Sequence, residues 1–218
     1  MRTLAVDPAL QLIVRASLSL LFARAALHKL RDVAGFGAAL ERYELLPAPW
    51  AVPAGAFVIA AEVGVAAGVW LPRVAPAAAL GAAALLALYA GAIAVNLVRG
   101  RRDFDCGCSG PARRQPISAA LVVRNGVIAA AAVLGALPAG PRALLWVDGV
   151  TVAASVAALA CLYAAADGLL AESAHGRGTP GDEQAMVTEI TDGAPLRPFA
   201  SFASFAVRWI RHDEAPHA

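Results

Sequence analysis

The stretch VAPAAALGAAALLALYAGAIAVNLV, residues 74–98, decides the fold of this chain. It contains no charged side chain, and it is longer than the roughly 20 residues that a helix needs to cross about 30 Å of hydrocarbon. Backbone groups in lipid must find their hydrogen bonds within a helix or in a closed barrel. Because the apolar residues show no period-two alternation, the stretch predicts a membrane-spanning helix rather than a barrel strand.

The composition of the whole chain agrees with a bilayer environment. Of its 218 residues, 59% are hydrophobic and 16% are charged, and the mean hydropathy is +0.63, far from the usual globular mix. We therefore predict an all-α, polytopic membrane helix bundle over residues 1–171, with four to five transmembrane helices. Five is the number of long apolar runs, and a four-helix core plus one is the alternative. Besides 74–98, the runs are 9–30, 50–71, 117–137 and 144–170.

The composition changes abruptly after the last run. Residues 172–218 are rich in Gly, Pro, Ser, Thr and charge, which predicts a short, mostly disordered C-terminal tail. Within it, aromatic residues recur at helical spacing over 199–211, with arginines beside them. Such a segment suits a membrane surface, and a solvated tail is the equally favoured alternative.

The most polar segment between the spans is RRDFDCGCSG, residues 101–110. Cys106 and Cys108 are separated by one glycine, so a disulfide between them closes a very small ring near the outer limit of normal geometry. Gly107 supplies the backbone angles that such a turn needs, and a strained disulfide is easily reduced. We predict that this cysteine pair is a catalytic thiol–disulfide site; a pair of ordinary loop thiols is the alternative.

Charged residues inside or at the ends of the spans are the other candidates. A carboxylate near mid-membrane, Glu62, is costly unless it is paired or neutral, and Arg15 and Arg24 are the partners we expect. A buried ion pair that only joins helices is one interpretation. In the functional one, Glu62 takes up a proton released by the thiols or hydrogen-bonds a quinone, the one cofactor we consider. His28 and Lys29 are interpreted either as snorkelling anchors or as groups that stabilise a thiolate or carry its proton.

The third cysteine, Cys161, lies inside the last apolar run. Most cysteines in such positions are inert small hydrophobes, and the alternative is a relay thiol. A closed zinc site needs four ligands, and only Cys161 and His28 remain to complete one with the cysteine pair. We therefore predict no metal site.

The basic residues predict the orientation of the bundle. The positive-inside rule makes the side with more Lys and Arg cytoplasmic, and this places the cysteine pair in a reducing compartment, where disulfides are usually transient and catalytic. A cytoplasmic pair would suit export of reducing power and a periplasmic pair would suit an oxidase, and both directions stay open. With five spans, one side carries Arg2, Arg73 and Arg142, and the other carries the C-terminal tail and Lys29, Arg31, Arg42, Arg99, Arg101, Arg102, Arg113 and Arg114.

Several short motifs follow one another along the chain. They are HKLRD at 28–32, Phe36, Leu40, Tyr43, LLP at 45–47, Glu62, Arg99-Gly100, DCGCSG at 105–110 and Arg124-Asn125. Over roughly residues 10–165 this ordered set resembles the methylamine utilisation protein MauE family, a branch of the DoxX-like redox-associated membrane proteins. The family usually has CGCFG, and Ser109 stands here in place of the aromatic residue, which puts the packing of the loop and its partner in doubt.

The resemblance implies maturation of a periplasmic dehydrogenase whose small subunit has many disulfides, alongside a thioredoxin-like protein. The leading hypothesis is therefore a membrane thiol–disulfide redox protein, a candidate thiol–disulfide oxidoreductase, in the inner membrane of a bacterium. Its partners are the lipid bilayer, a thioredoxin-like protein and a client enzyme subunit, with no nucleic acid. The alternatives are a non-catalytic assembly factor and, third, a small transporter that uses Glu62 and the arginines.

Overall fold

The computed structural model describes residues 5–101 and 117–175, and these form a helical bundle. Five of its helices are long and apolar enough to cross a membrane, which confirms the predicted class and the larger of the two span counts. The helices are α1 (Pro8–Arg31), α2 (Val33–Arg42), α3 (Ala51–Gly68), α4 (Ala75–Val98), α5 (Ala119–Ala136) and α6 (Trp146–His175), with a 3-10 turn at Ala48–Trp50 before α3.

Two predictions concern parts of the chain outside the described residues. Cys106 and Cys108 lie in the interval 102–116 between α4 and α5, and most of the predicted tail, including 199–211, lies beyond His175. Both remain predictions.

The short helix α2 was not expected, because the interval between the first two spans reads as a loop. Asp32 ends α1 and begins α2, where its carboxylate accepts a hydrogen bond of 2.8 Å from the N–H of Gly35. This is ordinary N-cap chemistry. With ten residues α2 is too short to cross the bilayer, so the chain stays at one end of the bundle until α3 begins.

The core forms where α1, α3, α4 and α5 meet. α4 packs along α5, and α1 contacts α3, α5 and α6. Large apolar side chains also cover the outside of the bundle, among them Phe57, Leu88 and Val98, which suits contact with lipid. The main cluster of buried apolar residues is Leu18, Phe22, Val65, Val69, Ala82, Leu85, Leu86 and Ala132.

The five spans alternate in direction, so the bundle has two ends. We call one of them the cysteine end: it holds the C-terminal ends of α1 and α4 and the N-terminal ends of α3 and α5, and the interval 102–116 joins two of these. The residues after α2 contact this end directly, since the Asn96 side chain of α4 donates to the carbonyl of Tyr43 at 3.2 Å.

At the end of the bundle opposite the cysteine end, one arginine connects the first span, α1, with the last span, α6. Arg142 precedes α6, and it donates to the carboxylates of Asp7 (2.9 Å) and Asp148 (2.9 Å). Asp7 also caps α1 by accepting from the N–H of Ala9 at 2.8 Å. The contact therefore fixes the start of α1 against the start of α6.

This clamp predicts a pH dependence of stability. Hydrogen bonds from Arg142 and then from the N–H of Ala9 hold the pKa of Asp7 below its ordinary value of 3.8. A carboxylate with a lowered pKa contributes stability that is present above the unfolded pKa and is lost as the pH falls through the folded pKa. We expect the melting temperature of detergent-solubilised protein to fall less steeply below about pH 4 in Arg142→Gln than in the unmodified chain. Equal slopes in the two proteins would contradict the clamp.

Candidate functional site

A fully buried carboxylate stands at the centre of the candidate site. Glu62 of α3 is 0% exposed, and its Oε1 lies 2.5 Å from the Nζ of Lys29, which is 6% exposed. The hydroxyl of Tyr89 on α4 donates to the same oxygen at 2.7 Å. Three helices of the bundle therefore meet at one carboxylate.

Lys29 reaches this carboxylate from the last turn of α1. The Cα–Cβ bonds of a helix tilt toward its N-terminus, so a long side chain near the C-terminal end of α1 is directed into the bundle. Its ammonium also lies 5.2 Å from the ring centre of Phe36 and 5.5 Å from that of Tyr89. Aromatic faces attract a cation at such distances, so Lys29 is a buried partner of Glu62 rather than the snorkelling anchor of the alternative interpretation.

The expected arginine partners of Glu62 are not the observed one. Arg15 is half-buried in α1, and its Nε is buried without a hydrogen-bond partner. Arg24 is exposed. The prediction considered only the arginines within the first span. The pairing is decided by the reach of the Lys29 side chain and by the direction of its Cα–Cβ bond.

The arrangement leaves one oxygen of the carboxylate unused. Both donors bind Oε1, and Oε2 is buried with no hydrogen-bond partner. An unpaired polar atom in a site of low dielectric is costly. The unpaired Oε2 is open to one further hydrogen bond. The predicted roles of Glu62, uptake of a proton released by the thiols or a hydrogen bond to a quinone, stay predictions.

The remaining predicted site residues lie apart from this carboxylate. His28 is half-buried beside Lys29 on α1, at the cysteine end. Cys161 is a free, exposed thiol on α6. No described contact joins Cys161 to Glu62 or to Lys29, so its role as a relay thiol stays a prediction.

Arg124 and Asn125, the last of the short motifs quoted above, lie within α5 and have different surroundings. Arg124 forms an ion pair with Asp167 of α6, and its guanidinium lies 4.9 Å from the ring centre of Tyr163. Asn125 is buried. The first residue joins α5 to α6, and the second faces the interior of the bundle.

The root of the cysteine interval is held in a defined position. Gly100 has φ +74°, and the N–H groups of Gly100 and Arg101 bind the carbonyls of Leu97 and Asn96, each at 3.0 Å. This is a Schellman motif, in which glycine adopts the left-handed conformation without a Cβ penalty. Arg101 also pairs with the Glu44 carboxylate at 2.8 Å. The interval with the two cysteines therefore starts at a fixed point next to α2.

Two residues of this region, Tyr89 and Asn96, were not predicted from the sequence. Both interrupt the apolar run 74–98, where they are the polar side chains after residue 88. That interruption was the available signal, because polar groups within a span usually face the bundle interior.

These features define a class of protein: a multi-pass helical membrane protein with a charged pair buried beneath one end of its bundle. Comparison with known families gives the particular one. The family described as methylamine utilisation protein MauE matches residues 7–138, and the chain belongs to this family.

Individual relatives agree with this assignment. The methylamine utilization protein MauE of Paracoccus denitrificans is 39% identical over 142 residues, which cover 64% of this chain and 76% of the relative. The protein of the same name from Methylophilus methylotrophus is 32% identical over 173 residues, which cover 77% and 89%. No solved structure matched the chain.

Proposed function

We propose that this chain is a thiol–disulfide redox protein of the bacterial inner membrane that serves methylamine utilisation. The relatives are named for that process, and the redox role rests on Cys106 and Cys108. The partner is a thioredoxin-like protein, and the client is a subunit of the enzyme that the process requires.

The observation that carries the proposal is the position of the buried carboxylate relative to the cysteine interval. Glu62 is bound by Lys29 from the last turn of α1, at the cysteine end. The interval itself leaves α4 at Arg101, which is tied to Glu44 next to α2. A group able to hold a proton therefore lies beneath the end of the bundle where thiol chemistry would occur.

The proposed step is a thiol–disulfide exchange. The thiolate of one cysteine attacks a sulfur of the partner's disulfide, and a mixed disulfide forms while one partner thiolate leaves. The second cysteine then attacks the mixed disulfide, so the pair becomes a disulfide and the partner a dithiol. In this direction two electrons pass to the partner, and two protons move from the attacking thiols to the leaving ones. If the pair starts as the disulfide and the partner as the dithiol, the same bonds exchange in reverse and two electrons pass from the partner to the pair. Glu62, with Lys29 as its charge partner, and His28 are the proposed proton carriers, and Arg24 is a further cation on the same helix.

Replacement of the cysteines tests the proposal. Cys106→Ser with Cys108→Ser is expected to abolish growth on methylamine in a methylamine-using bacterium that lacks its own copy, and Cys161→Ser is the matched control. The single Cys108→Ser variant is expected to accumulate a mixed disulfide with its partner, visible by non-reducing electrophoresis. Normal growth of the double variant at normal protein level would refute the redox role and favour an assembly factor.

A further inference from the structure

Among the buried polar atoms without a hydrogen-bond partner in the described residues are one on α4, one on α5 and one on α3. They are Oδ1 of Asn96, Nδ2 of Asn125 and Oε2 of Glu62, and their side chains are 0%, 5% and 0% exposed. A buried polar group without a partner destabilises the fold. Ordered water commonly supplies such missing bonds inside proteins.

The packing of α4 against α5 gives the depth of the two asparagines. A Cβ at Gly135 would lie 3.8 Å from that of Ala79, and Ile93 packs with Leu121. α4 and α5 are thus antiparallel, and a residue one position later in α4 is level with a residue one position earlier in α5. Asn125 follows Leu121 by one turn on the same face of α5, which places it level with Tyr89.

The packing of α3 against α4 gives the depth of Glu62 in the bundle in the same way. A Cβ at Gly81 would lie 3.7 Å from Val65, so Glu62, one turn before Val65, is level with Ala84. At 1.5 Å per residue, the Cα of Glu62 is about 7 Å deeper than the level of Asn125, and Asn96 is about 10 Å shallower. The three groups therefore follow one another from the cysteine end into the bundle.

The directions of the side chains make the distances between the polar groups shorter than these differences in Cα depth. Since Cα–Cβ bonds tilt toward the helix N-terminus, Asn96 is directed from α4 into the bundle, and Glu62 is directed from α3 toward the cysteine end. The three unpaired atoms also alternate between acceptor and donor: Asn96 offers an acceptor, Asn125 a donor and Glu62 an acceptor. Each of them can therefore bind one end of a short chain of water molecules.

We propose that water molecules bound by Asn96 and Asn125 form a proton path between the cysteine end and Glu62. The path extends the proposed function, because it connects the proposed proton carrier with the thiols. Its purpose rests on that function. Its existence is independent of the thiol chemistry. Asn96 and Asn125 act as positioning residues, since they hold the water and do not contact a reacting sulfur.

Reaction of an introduced thiol tests for this water. In a chain with Cys106, Cys108 and Cys161 replaced by serine, Asn125→Cys is treated with Ag⁺, a water-sized ion that hydrocarbon excludes, and the remaining thiol is counted after denaturation. Leu121→Cys is the matched control, since it is buried on the same face and lies one turn nearer to the cysteine end. We expect Asn125→Cys to react at least about tenfold faster, because thiol reactivity follows access to water. Equal rates would overturn the proposal.

A second measurement keeps the native Glu62 and needs no new thiol. Infrared difference spectra against Glu62→Gln identify the Glu62 carboxylate, and transfer to D₂O gives the rate at which the hydrogens of its donors, Lys29 and Tyr89, exchange. We expect Asn125→Leu to slow this exchange by about tenfold relative to Val123→Leu, an exposed position on the same helix. Unchanged exchange in Asn125→Leu would refute the path. Both measurements work in the cysteine-free chain, so failure of the path and failure of the redox role are distinguishable.

Discussion

Lys29→Met is expected to be the most destabilising single replacement of a charged residue in the bundle. The variant keeps the length of the side chain but leaves the Glu62 carboxylate, which is fully buried, without its cation. Removing one member of a buried ion pair costs about 3–5 kcal/mol. The measurement is the free energy of unfolding in mixed micelles with increasing dodecyl sulfate.

The double variant Lys29→Met with Glu62→Gln is the control for this effect. It removes both charges together, and replacement of a whole buried pair by neutral groups is often close to neutral for stability. We expect it to recover most of the lost stability, because the amide oxygen of the introduced glutamine would still accept from the Tyr89 hydroxyl. A Lys29→Met chain as stable as the unmodified one would contradict the buried pair.

The double variant also separates a scaffold from a functional site. If the pair only joins α1 to α3, a stable double variant supports normal growth on methylamine. If Glu62 carries protons for the cysteine pair, the same folded variant is expected to fail, because glutamine cannot take up a proton.

Gly135→Leu is expected to have the second large effect, through packing rather than charge. A Cβ at Gly135 would lie 2.9 Å from Cγ1 of Val14, a distance at which the Val14 side chain or the helix that carries it must shift. Small residues allow such close approach between membrane helices, and overpacking costs about 1–3 kcal/mol. We expect a lower free energy of unfolding in the same mixed-micelle titration.

Gly126→Leu on the same helix is the matched control for the packing effect. A Cβ at Gly126 meets no atom within 4 Å, and the residue is exposed. We expect little change there. Equal losses in the two variants would show that the cost comes from removing glycine from α5 in general, and would contradict a specific contact between α1 and α5.

The spans were predictable because length and hydropathy are local properties. The predicted run 9–30 differs from Pro8–Arg31 by one residue at each end, and 74–98 differs from Ala75–Val98 by one residue at its start. In a bilayer, any long apolar run must satisfy its own backbone, so few alternatives compete with a helix. The short helix α2 escaped prediction because it is not a long apolar run and contains Gly35 and Gly37.

The candidate site was predictable in its chemistry but only partly in its geometry. A carboxylate at position 62 within a span indicated a buried polar site, but the expected partners were Arg15 and Arg24, and Lys29 was a candidate only as an anchor or as a group acting on the thiolate. The selection of Lys29 over the arginines, and the addition of Tyr89, depend on which faces of α1 and α4 turn toward α3.

By itself, then, the sequence determined that this is a multi-pass helical membrane protein with a costly carboxylate inside it and a cysteine pair between two spans. Only the tertiary structure decided which cation neutralises Glu62, and that Asn96 and Asn125 are each buried with a polar atom that has no partner. The physical reason is range: hydropathy acts residue by residue along one helix, whereas an ion pair or a polar path requires the rotation and register of several helices at once.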